Sequence, residues 1–88
     1  MDISALRVRI ISLNEDLNYF DDLLRAKQGY EVNLWGLTEQ LSLPNNLDNP
    51  EMLSLLEEKA KQLKKNIQNC DAMLEKTRLK MLKALGKS

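Results

Sequence analysis

The chain has 88 residues, with 13 basic and 13 acidic side chains, no histidine and a single cysteine, Cys70. That inventory excludes an internal disulfide, histidine-based acid–base or nucleophilic chemistry, and an ordinary zinc site. A fold this small buries only about 60–65% of the surface its unfolded chain exposes, so it needs either a partner or an unusually regular helix–helix contact.

Apolar residues make up 43% of the sequence and charged residues 30%, a mixture that folds rather than stays disordered. No apolar run is long enough for a membrane span. Asp2 and Arg7 interrupt the layout of a secretory signal, and the expected setting is reducing and cytoplasmic. Charge is balanced overall but not locally. Residues 1–58 hold four basic and eleven acidic side chains, and residues 59–88 hold nine basic and two acidic. Opposed halves of this kind either lie against one another or direct the basic half to an anion.

Taken in chain order, the first segment is periodic. Ile3, Leu6, Ile10, Leu13, Leu17, Phe20 and Leu24 alternate in steps of 3 and 4, the spacing of a helix that packs against another helix. Asp2 is a cap for its start. After Leu24 the row meets Lys27 and Glu31, with Gly29 between them, and a second row follows at Tyr30, Leu34, Leu37 and Leu41. The pattern predicts one long helix over 2–42, kinked near Gly29 or running through it with a phase shift.

Residues 43–50 read as a loop. Pro44 disfavours helical geometry at Leu43, Asn49 is a cap, Pro50 suits a first helical position, and Glu51 suits the positive end of the helix dipole. From 51 to 85 there is neither Gly nor Pro. Leu53, Leu56, Ala60, Leu63, Ile67, Cys70, Leu74, Thr77, Met81 and Ala84 again alternate in steps of 3 and 4. Gly86 supplies the stop. The expected architecture is therefore all-α: residues 1–88 form a single coiled-coil-like antiparallel hairpin, which completes a bundle by oligomerisation or by binding a partner. A register in which facing residue numbers add to 94 sets Phe20 against Leu74, Leu13 against Met81 and Ile10 against Ala84.

More apolar side chains are present than one stripe per helix can bury. Trp35, Leu34, Ile11, Val32, Leu55, Met73 and Leu79 are the candidate protein-interface residues, because leaving them in water forfeits burial free energy. Trp35 is the strongest anchor, since Trp is enriched at binding hot spots; its competing role is to cover the hairpin tip near Leu43 and Leu47. Cys70 lies on the seam and packs as a small hydrophobe. The pairs Glu15-Asp16, Asp21-Asp22 and Glu57-Glu58 diverge by about 100° on a helix and make no chelate. No catalytic, cofactor or metal site is expected.

The alternative reading is a nucleic-acid contact through the basic last segment, carried by Lys61, Lys64, Lys65, Lys76, Lys80 and Lys83 with Lys59, Arg78 and Lys87 nearby. It lacks interleaved aromatics and a recognised motif. The pattern of residues 30–85, with Trp35 ahead of the loop, loosely resembles the small helical export chaperones of flagellar and type III secretion systems. That resemblance implies a groove beside Leu34, Trp35, Leu56 and Leu63 that receives a cargo helix. The function expected from the whole chain is a non-catalytic helical interaction protein: an adaptor, assembly factor or small chaperone, acting on a protein partner or on a second copy as a homodimer or four-helix bundle. A small inhibitor of a larger enzyme fits the same physics.

Overall fold

Capping fixes where the helices begin. The Asp2 carboxylate accepts a hydrogen bond from the Ser4 amide at 3.2 Å, and the Asn49 side chain accepts one from the Met52 amide at 3.2 Å. Each satisfies an amide that the first helical turn leaves without a partner. In the computed structural model, which describes residues 2–86 apart from the side chains of Asn45 and Asn46, helix α1 runs Ile3–Leu41 and a later helix runs Pro50–Ala84. The expected loop holds one helical turn of its own. This α2 spans Pro44–Leu47, starting on a proline whose missing N–H costs nothing at a first helical position. The second long helix is thus α3. It closes with Gly86 in the left-handed region, φ 79°, where its amide bonds the Lys83 carbonyl at 3.0 Å, a conformation glycine adopts without a Cβ clash.

The two rods lie antiparallel in a body 68 × 18 × 15 Å. The all-α hairpin is therefore present, with α1 continuous through Gly29. All ten residues of the row read from α3 face the seam: Leu56, Ala60, Cys70, Leu74 and Thr77 are buried and the other five half-buried. Thr77 satisfies its buried hydroxyl by donating to the Met73 carbonyl at 2.8 Å.

On α1 the seam differs from the expected row. Gly36 aside, the half-buried positions Leu13, Asp16, Phe20, Leu23, Lys27, Tyr30, Leu34, Leu37 and Leu41 run in unbroken steps of 3 and 4. The phase set beside the loop by Tyr30 to Leu41 is carried straight back, without the slip expected at Gly29. Asp16 and Leu23 occupy the places assigned to Leu17 and Leu24, which are exposed. The reason is mechanical: a slip of one residue would need local unwinding of a helix whose backbone bonds are otherwise regular.

The register also differs. The cross-helix pairs Lys27–Asp71 and Asp16–Lys80 have residue numbers that add to 98 and 96, so each α1 position faces α3 slightly further on than a sum of 94 implies. Asp16 stands level with Lys80, which places the end of α3 near residue 12. Residues Ile3–Ile11 of α1 therefore project past α3 by about 13 Å, and every one of them is exposed.

Burial this sparse makes individual seam residues costly to lose. Leu56→Ala or Leu74→Ala should each destabilise the hairpin by about 2–5 kcal/mol, whereas Leu79→Ala on the outer side of α3 should stay within about 0.5 kcal/mol. Urea denaturation followed by circular dichroism measures all three. Similar losses at Leu79 and Leu74 would show that the seam is misplaced.

Candidate interaction surfaces

The seam contains two charged residues, and each has a partner on the opposite helix. The Lys27 ammonium donates to an Asp71 carboxylate oxygen at 2.6 Å. The Lys80 ammonium donates to Asp16 at 3.1 Å, and the Asp16 side chain is only 13% exposed. Long lysine stems let both charges stay near water while their methylenes cover apolar neighbours. The hydrogen bond to Asp71 holds the Lys27 ammonium above its ordinary pKa, opposed by desolvation and aided by the Asp71 and Glu31 charges. On the outer surface Arg78 binds Glu75 through two bonds of 2.9 and 2.6 Å. This pair raises the arginine and lowers the carboxyl.

Beside the seam run shallow open grooves. One, about 540 Å³, is lined by Val32, Gly36, Leu37 and Gln40 of α1 and by Lys59, Gln62 and Leu63 of α3. A second lies between Leu23, Tyr30, Asn66, Cys70 and Met73. These two share an edge, because 23, 30 and 37 and also 59, 66 and 73 repeat every seven residues. The third groove lies on the opposite edge, between Glu31, Leu34, Trp35 and Thr38 of α1 and Lys64 and Ile67 of α3.

This geometry redraws the groove implied by the chaperone resemblance. Leu34 and Trp35 line one edge, Leu63 the other, and Leu56 is buried within the seam. Of the candidate interface residues, Trp35 is 65% exposed, so it does not cover the tip, and Leu43 and Leu47 are exposed too. Ile11, Val32, Leu55, Met73 and Leu79 are also exposed, while Leu34 is half-buried in the seam. They are not gathered into one place: Ile11 lies on the projecting end, Val32 and Trp35 flank different grooves, and Leu79 points outward.

The surface that single-residue reasoning missed is the apolar row itself. Ile3, Leu6, Ile10, Leu17 and Leu24 are 38–67% exposed. They form a stripe beside the α3 seam, sharing Leu13 and Phe20 with it. The signal was available in the sequence: extending the Tyr30–Leu41 phase backwards selects Asp16 and Leu23, which leaves Leu17 and Leu24 free.

Among the basic candidates, Lys61, Lys65, Lys76 and Lys83 are separated by 4, 11 and 7 residues, near-integral numbers of turns, and share the outer face of α3. Lys64 and Lys80 flank the seam on opposite sides. Lys87 lies outside the described residues. Among the described residues no three of Cys, Asp and Glu come together as a metal site, and no helix is long and apolar enough to cross a membrane.

The raised Lys27 pKa gives its ion pair a defined pH window. A raised folded-state pKa means the contribution is complete below the ordinary lysine value of about 10.4 and is lost as pH rises through the raised value. Thermal melts of the native chain and of Lys27→Met should therefore differ at neutral pH and converge at strongly alkaline pH. A difference that persists there would assign the effect to packing of the stem. Comparison of the chain with protein-family models, with curated proteins and with solved structures finds no match.

Proposed function

We propose that this chain is a non-catalytic interaction protein that works by adding a helix to its hairpin, as an adaptor, assembly factor or small chaperone. The observation that carries this reading is the open apolar stripe of α1 beside a fully formed seam. Its exposed Ile and Leu side chains repeat at the 3–4 spacing that a neighbouring helix fills, and burying each one is worth roughly 1.5–3 kcal/mol. Trp35, on the same side of the molecule as Leu24, extends that surface toward the loop. A hairpin offers little concavity for catalysis. An inhibitor that docks on a larger enzyme would use the same stripe.

A second reading has its own observation. Lys61, Lys65, Lys76 and Lys83 on one outer face could follow a polyanion. Retention on nucleic acid at about 50 mM salt, falling steeply as salt rises, would favour that reading over protein docking.

The proposal is tested by comparing the native chain with Leu24→Asp and Trp35→Ala in affinity capture and in light scattering. Both variants should keep the native helical circular dichroism and melting temperature, because neither residue is in the seam. Leu24→Asp should abolish association, and Trp35→Ala should weaken it where the docked helix reaches past Leu24 toward the loop and leave it unchanged where the contact ends at Leu24. If Trp35→Ala melts the hairpin, or if the native chain associates with neither itself nor another protein, the proposal fails.

A further inference from the structure

The row that α3 leaves open is nearly self-complementary when reversed. Its positions 3, 6, 10, 13, 17, 20 and 24 map onto themselves, within one residue, about a centre near Leu13 and Asn14. Charge follows the same symmetry. The projecting turns carry Arg7 and Arg9 and no acid between residues 3 and 11, whereas residues 14–24 carry Glu15, Asp16, Asp21 and Asp22 and no base. We infer that the occupant of the row is the α1 helix of a second copy of this chain, antiparallel to the first about a two-fold axis at Leu13–Asn14. The inference rests on the proposed docking of a helix on this stripe and names the partner.

In that arrangement Ile3 packs against Leu24 of the second copy and Ile10 against Leu17. The basic overhang of each hairpin lies along the acidic stretch of the other, with Arg7 beside Asp21. The contact is isologous, so every interaction occurs twice. Parallel pairing of the same rows is disfavoured, because it sets Asp16 of one copy beside Asp21 of the other. The staggered ends of α1 and α3 give the pairing room: each overhang enters the level where its partner's α1 has only α3 alongside it. The product is two hairpins joined end to end through their α1 N-terminal halves.

Light scattering of the full chain across a dilution series should give twice the chain mass at high concentration. Leu17→Asp should give the monomer with unchanged helicity. Arg7→Asp and Asp21→Arg should each raise the dimer dissociation constant about tenfold, and the double variant Arg7→Asp/Asp21→Arg should restore it. Three results would each overturn the self-pairing: a native chain that stays monomeric at every concentration, a dimer that survives Leu17→Asp, or a double variant no tighter than the singles. If the native chain is monomeric while Leu17→Asp abolishes capture of another protein, the row belongs to a heterologous helix; self-pairing falls and the proposed mode of action stands.

Discussion

Everything in this molecule depends on one stripe of contact between two long helices. With no disulfide and few residues, that stripe is the core: among the described residues Leu56, Ala60, Cys70, Leu74 and Thr77, all on α3, are the buried ones, set against half-buried positions of α1. The phase of the stripe is fixed at the loop, where Leu41 and Leu53 begin it on the two sides. An unbroken 3.5-residue period then carries it along both rods. Because α1 does not slip phase, its upstream Ile and Leu residues fall to one side of the stripe. Because the register places Lys80 beside Asp16, its first turns have no α3 beside them. The open surface is thus a geometric consequence of the seam and not a separate construction.

The two charged seam residues have a role that packing alone lacks. Apolar rows with a uniform period tolerate sliding by a heptad, and a leucine seam is nearly as good in several registers. Asp16 meets Lys80 and Lys27 meets Asp71. A slide by one heptad in either direction would replace Asp71 beside Lys27 with a base, Lys64 or Arg78, setting like charges against one another in the seam. Asp16–Lys80 also follows the wider charge pattern, in which acidic α1 lies against basic α3 in the antiparallel direction, whereas Lys27–Asp71 reverses that polarity. Their net contribution to stability is modest, because partly exposed ion pairs are screened; their effect is on which seam forms.

Much of the fold was legible in the sequence. α3 could be read completely, because its row contains no charge and no glycine. Asp2, Asn49, Pro50 and Gly86 marked helix ends by mechanisms that are local in the chain. The row on α1 was misread because two apolar patterns overlap there, sharing Leu13 and Phe20, and the more hydrophobic one is not the intramolecular one. A charge at Lys27 looked like an interruption. It is in phase, and only the opposite helix supplies the reason, through Asp71. The helical turn at Pro44–Leu47 escaped because a single turn has no periodicity to detect. The candidate surfaces were legible as a surplus of apolar side chains. Their division between two edges and a projecting end required the register, which no local pattern encodes.

Amide hydrogen exchange as a function of dilution tests the central claim most directly, that α1 has a sealed portion and an open one. Amides of α3 and of α1 from about residue 16 onward should exchange slowly at every dilution. Those of residues 7–11, within the overhang, should exchange rapidly in dilute solution and slow as the chain is concentrated. Equal protection of residues 7–11 and the seam at all dilutions would contradict it, as would rapid exchange throughout the segments around Leu56 and Leu74.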